Sequence, residues 1–269
     1  MFENTYLVTD KLETFTHEDV DAVEAALGTR FPVGYREYVT TLGRGEYCSY
    51  INVFPPQEIV ENQTGGKPPL QEFCHSWDGA EFGITPERLA KSVMIANSIN
   101  GDWIVFEASL PETIYILPSD ESVMHKVEAL TDVLTWLYEP EGNARFRFFI
   151  SAISQQEQKH ISIPRDLDLS YEEFRDWLSA LKKHDRWEET IQPGTALSDT
   201  GYGLLTGGKI QFAQPGDEKH FQAFFKCFGG DVLCYGDIFG RLNLQVAYDS
   251  TKYDETAAKI AAFLQAKTA

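Results

Sequence analysis

Apolar positions in the first fifty residues recur at helical intervals. Val20, Val23 and Leu27 lie three and four apart. They follow Thr16-His17-Glu18-Asp19, a capping-box pattern in which Thr16 can accept from the backbone amide of Asp19. Gly28 stops this helix. A second helix is expected to open at Pro32, whose fixed φ suits a first helical position. Tyr35, Tyr38, Val39 and Leu42 then share one face, and Gly43 and Gly45 end it. Residues 49–54 read as a strand halted by Pro55-Pro56.

Residues 55–83 read as loop with short helical pieces, because they hold Gly65-Gly66 and Pro68-Pro69. Thr85-Pro86-Glu87 is a further helix start. Three strand-like stretches follow at 92–97, 103–107 and 113–117, joined through Asn100-Gly101-Asp102 and Leu110-Pro111. Connections this short join antiparallel neighbours, so the expectation is a β-meander. Leu130, Val133, Leu134 and Leu137 mark a closing helix. Glu139-Pro140-Glu141-Gly142-Asn143 is polar and rich in breakers, which predicts domains at 1–142 and 143–269.

The second half opens with a strand expected within 145–150, then a polar stretch at 154–160. Ser170-Tyr171-Glu172-Glu173 is another capping box, and Phe174, Trp177, Leu178 and Leu181 give its helix an apolar face. Strands are expected at 202–205, 209–212, 231–235 and 242–248. A helix is expected near 218–228, and a terminal helix carries the stripe Tyr253, Ala257, Ile260 and Leu264. Both halves are therefore α+β, the second smaller than the first.

Composition narrows the function. Hydrophobic residues at 43% and aromatics at 13% of 269 residues can build a core. The net charge of −18 argues against nucleic acid or an anionic membrane as partner, since both repel a polyanion. The charge is uneven: residues 1–142 carry −16 and residues 143–269 carry −2. Apolar runs are far shorter than the ~20 residues of a membrane-spanning helix. Met1-Phe2-Glu3-Asn4 lacks a signal peptide's basic start, so the cytoplasm is the expected location. Cys48, Cys74, Cys227 and Cys234 could pair in three ways; free thiols suit a reducing compartment better. No C-x-x-C or H-E-x-x-H occurs, and neither metal nor cofactor is expected.

Several segments resemble the SUKH superfamily, which includes the fungal Smi/Knr cell-wall regulator and many bacterial immunity proteins. Leu27-Gly28 and then Phe31-Pro32-Val33-Gly34-Tyr35-Arg36-Glu37-Tyr38 are similar to its glycine-ended helix and the "LP-x-x-Y-x-x-F/Y" run that leads into the next. Phe31 stands where leucine is more usual. Leu42-Gly43-Arg44-Gly45 resembles the glycine-rich stop, and Ile51-Asn52-Val53-Phe54-Pro55-Pro56 the strand ending in proline. Asn100-Gly101-Asp102-Trp103-Ile104-Val105-Phe106 resembles "G-D-x-I/Y-x-F"; Thr113-Ile114-Tyr115-Ile116-Leu117-Pro118 resembles the next strand, and residues 130–137 the last helix. The likeness spans roughly residues 10–138. It implies an antiparallel meander flanked by helices, in a family mostly of binding proteins rather than enzymes.

No catalytic constellation opposes that. His17, His75, His125, His160, His184 and His220 are scattered, and no G-x-S-x-G occurs. The glycines from Gly201 to Gly208 before Lys209 lack Walker spacing and read as a hairpin turn between the strands at 202–205 and 209–212. The expectation is a non-enzymatic immunity protein that neutralises a secreted toxin, a nuclease being the natural target. A nuclease must be basic to hold nucleic acid, and an acidic inhibitor is steered onto that surface. Aromatics set among acids are the candidate anchors: Glu46, Tyr47 and Tyr50, then Glu72, Trp77, Asp78 and Glu81. Glu112, Asp120 and Glu121 are assigned to meander turns. The alternatives are a housekeeping regulator or scaffold of the fungal type, and an enzyme in the second half built around His184 or His220.

Overall fold

The computed structural model describes residues 2, 5–64, 70, 75–78, 80–138 and 147–153, with 158–161, 173, 177, 187–188, 195–198, 202–206, 220–225, 230–236, 242–249 and 255–268. The chain forms two compact units, residues 1–6 with 12–152 and residues 7–11 with 153–269.

An eight-stranded sheet organises the first unit. Its strands are β1 (Tyr6–Leu7), β2 (Gly45–Tyr47), β3 (Ile51–Val53), β4 (Val93–Ser98), β5 (Trp103–Glu107), β6 (Leu110–Leu117), β7 (His125–Val127) and β8 (Phe148–Ser151), in the order β1-β8-β2-β3-β4-β5-β6-β7. From β2 to β7 each strand pairs antiparallel with the next; the short connections predicted this for β4, β5 and β6, whereas β3 and β4 pair across residues 54–92. The strand expected at 145–150 pairs with β2, matching Gly45 with Ser151 and Tyr47 with Phe149, so it belongs to this first sheet. All four of its residues are buried, which suits a strand with neighbours on both sides.

The strand expected over 49–54 is β3, shortened at its start because residues 48–50 form the turn of a hairpin with β2, which the sequence pattern did not reveal. Three residues separate the paired Tyr47 and Ile51; Cys48 and Ser49, at φ 58° and 50°, are the central residues of the turn, closed by Tyr50 N–H to Tyr47 O at 3.1 Å. Such left-handed turns favour Asn-Gly, so Cys-Ser gives no turn signal. Helix α1 (His17–Leu27) carries the expected capping box, with Asp19 N–H on Thr16 Oγ1 and Thr16 N–H on Asp19 Oδ2. Helix α2 (Tyr35–Thr41) starts after Gly34, in a left-handed conformation at φ 89°, rather than at Pro32. The cause is Val33, whose backbone is extended in a bridge to Ala129 and accepts from Leu130 N–H. Helix α3 (Pro56–Thr64) fills part of the expected loop, its proline at a first-turn position where no N–H is missed.

Both faces of the meander are covered. Ile104, Phe106, Ile114 and Ile116 point one way, where Phe31 meets Phe106 at a centroid distance of 6.0 Å. Helix α5 (Leu130–Tyr138) lies on this side, since Trp136 packs against His125, the cross-strand partner of Ile116. On the other face Val105, Tyr115 and Leu117 pack with Leu70, Ile84, Leu89 and Met124. A 3-10 turn (Ala80–Phe82) and helix α4 (Pro86–Leu89) lie in the cover. Arg88 fixes it through a two-pronged bond to buried Glu107, at 2.9 and 2.8 Å. Double cover explains why 103–106 and 114–117 are continuously apolar.

The second unit holds a seven-stranded antiparallel sheet. In chain order its strands are β9 (Gln158–Ile161), β10 (Trp187–Glu188), β11 (Thr195–Ser198), β12 (Tyr202–Thr206), β13 (His220–Phe225), β14 (Gly230–Gly236) and β15 (Leu242–Asp249). Across the sheet they run β10-β11-β12-β13-β14-β15-β9. The helix expected near 218–228 is instead strand β13, with β12 and β14 on either side. Its aromatics, Phe221, Phe224 and Phe225, favour strand once two neighbours are present. Strand β12 pairs with β11 and β13, and the strand expected at 209–212 lies outside the described residues. Helix α6 (Glu255–Thr268) buries Ile260 and Leu264, as the stripe predicted. Trp177 stacks on its Phe263 at 4.0 Å, and Glu173 pairs with Lys267. The expected linker 139–143 lies outside the described residues.

Two glycines give a test. A Cβ on Gly43, at φ 77°, would sit 2.0 Å from the Glu13 carbonyl oxygen, whereas Gly28, at φ 66°, faces open space. Gly28→Ala should cost about 1 kcal/mol in urea unfolding, from the backbone conformation alone. Gly43→Ala should cost about 3 kcal/mol or more, because backbone must move.

Candidate functional site

Two turns and one covering segment meet at one end of the meander. The β4–β5 turn contains Ile99, Asn100 and Gly101, and Gly101 takes φ 89°. Residues 118–124 connect β6 to β7. Buried Asp102 joins the turns: Oδ1 accepts the Ser119 N–H at 2.9 Å and Oδ2 accepts the Ser98 hydroxyl at 2.5 Å. Ser98 Oγ in turn accepts from the backbone N–H of Asn100 and Asp102.

Residues 75–78 close the third side. Asp78 N–H donates to Ser122 O at 2.7 Å, and Trp77 Nε1–H donates to Pro118 O at 2.8 Å. The rings of Trp77 and Trp103 lie 5.6 Å apart at 49°. A cleft of about 420 Å³ results, lined by Ser76, Trp77, Gly101, Trp103 and residues 118–122. Asp120 and Glu121 are the charged residues among its lining, and both are exposed.

The surroundings extend this character. Asn100 Nδ2 donates to the Tyr50 hydroxyl at 2.6 Å. Burial, and then the Asp102 carboxylate, push the Tyr50 phenol up to about 12. Glu121 lies 3.6 Å from His125, whose ring meets that of Trp136 at a centroid distance of 4.4 Å and a tilt of 39°. Ile99, Val123 and Trp136 are large apolar residues left 50%, 49% and 38% exposed. Ile99 and Val123 lie on the two turns.

The expected anchors separate. Trp77, Asp78, Asp120 and Glu121 come together here, and Tyr50 reaches the same end through Asn100. Tyr47 is buried beside Tyr38 in the core, while Glu46 is half-buried on β2. Glu81 is exposed on the 3-10 turn. Glu112 is not on a turn but within β6, five residues before Leu117 and so about 17 Å from the cleft end. Glu72 lies outside the described residues, as does His184. Gly101, Trp103 and Trp136 were not singled out as contacts. The Asn-Gly-Asp turn before Trp103 was the available signal. Among the described residues no group of three His, Cys, Asp or Glu could hold a metal ion, and no helix is long and apolar enough to cross a membrane.

Residues 14–135 match the SMI1 / KNR4 family (SUKH-1). That stretch is a SUKH domain. No curated protein and no solved structure matches the chain. The SUKH match covers the meander through β7, both turns of the cleft and most of α5. Its recurring residues have structural tasks here. Tyr35 donates its hydroxyl to Phe54 O within the core, Gly43 admits the backbone of Glu13, and Asp102 clasps the turns.

Asp102→Ala leaves the Ser119 N–H and the Ser98 hydroxyl without their acceptor. It should cost about 2–3 kcal/mol and weaken the near-ultraviolet dichroism of the Trp77–Trp103 pair. The Tyr50 phenol gives a pH test. Unfolded tyrosine ionises near ~10, so from there to about 12 the unfolded chain has lost a proton that Tyr50 keeps. Stability should fall as pH rises through that window, and Tyr50→Phe should make the fall shallower. Tyr35 and Tyr38, also raised by burial, act in the same direction.

Proposed function

We propose that this protein is a non-enzymatic binding protein that holds a basic protein partner through its SUKH domain. Its role is that of a bacterial immunity protein neutralising a secreted toxin, with a nuclease as the fitting target. The SUKH family includes both immunity proteins and Smi1/Knr4 regulators. The observation that favours the first is the cleft, where two half-buried tryptophans stand beside two exposed carboxylates. A net −16 over residues 1–142 supplies long-range attraction for a basic surface. The exposed apolar side chains at the same end supply contact area once the surfaces meet. The chain resides and acts in the cytoplasm, with no cofactor.

The test uses the reading frame beside the native gene. If it encodes a secreted protein with a basic C-terminal domain, that domain should lose its toxic activity at one equivalent of this chain. The association rate should fall about tenfold or more between low and high salt, as electrostatic steering requires. Full toxin activity at excess chain would overturn the proposal. Tight binding insensitive to salt would remove its electrostatic part.

A further inference from the structure

We propose that the cleft at the end of the meander receives the guanidinium of one arginine side chain, presented by the basic partner. This inference rests on the protein-binding reading above and names the group recognised. Three properties of the cleft select the occupant.

The first is charge. Asp120 and Glu121 line the cleft, and the described residues place no basic side chain in its wall. The second is ring surface. Trp77 and Trp103 both line the cleft while remaining half-buried, and the electron-rich face of an indole attracts a cation laid over it. The third is shape held in advance. Trp77 is pinned by its bond to Pro118 O, and the Asp102 clasp fixes the turn carrying Asp120 against the turn carrying Gly101. A site whose walls are already ordered loses little freedom on binding.

Arginine fits better than lysine. Its planar head can lie against a ring and still direct N–H groups to carboxylates, whereas an ammonium is a strongly hydrated point charge. Ser76, Ser119 and Ser122 supply hydroxyls for guanidinium N–H groups that the carboxylates do not reach.

The experiment titrates N-acetyl-arginine amide into the full chain and follows the indole N–H signals of Trp77 and Trp103 by NMR. Citrulline amide, a neutral copy of the same shape, and lysine amide run in parallel. The arginine compound should shift both signals, and the other two should bind about tenfold more weakly. The D120N/E121Q chain, whose substitutions lie on an exposed turn, should lose about tenfold in arginine affinity. Trp77→Leu should abolish the response at Trp103. Silence of both indole signals, or equal binding of citrulline or lysine, overturns the assignment.

A second arm separates this inference from the one beneath it. If the toxin domain binds the D120N/E121Q chain as tightly as the unaltered chain, the arginine site falls and the protein-binding reading stands. If arginine amide binds as expected and no toxin domain is neutralised, the reading of the partner falls and the cleft's chemistry stands.

Discussion

The buried carboxylate of Asp102 is the bond on which the functional end of the SUKH domain depends. It reaches across two turns that are separate in sequence and stops each from moving without the other. A carboxylate out of water is costly unless its lone pairs are occupied, and here a backbone N–H and a hydroxyl occupy them. The arrangement sets where Pro118 presents its carbonyl, and so where Trp77 stands. One interior group thereby orders an exposed surface.

The covering segment serves the same end from outside. Trp77, Phe82, Ile84, Leu89 and Ala90 hide the second face of the sheet, and Arg88 locks onto Glu107 beneath them. Trp77 belongs to this cover and to the cleft at once. Its ring packs against the core cluster on one side and bounds open space on the other. A core residue and a contact residue are thus not alternatives at this position.

Much of the SUKH fold was legible from local rules. The Thr16–Asp19 box, the Thr85-Pro86 start and the run β4-β5-β6 all depend on neighbours in sequence, where spacing alone carries the information. What escaped depends on distant partners. The Val33 bridge to Ala129 delays helix α2, and the neighbours of β13 override a helical reading. The Cys48-Ser49 turn hid for another reason: its residues are not those that left-handed turns favour. Of the candidate contacts, those near Trp77 and Asp120 converge because the fold brings residues 41 to 44 positions apart together. No window along the chain could reveal that.

The pairing of β8 with β2 bears on where the SUKH domain ends. The family match stops at residue 135, yet β8 lies at 148–151, buried between β1 and β2. A fragment cut at the end of the match would keep the meander and lose that middle strand. It would leave the N–H and C=O groups of β2 facing outward, with Tyr47 uncovered beside them. An open edge of that kind is a template for a strand from any other chain. The smallest piece that closes its own sheet therefore runs to Ala152, seventeen residues beyond the matched segment.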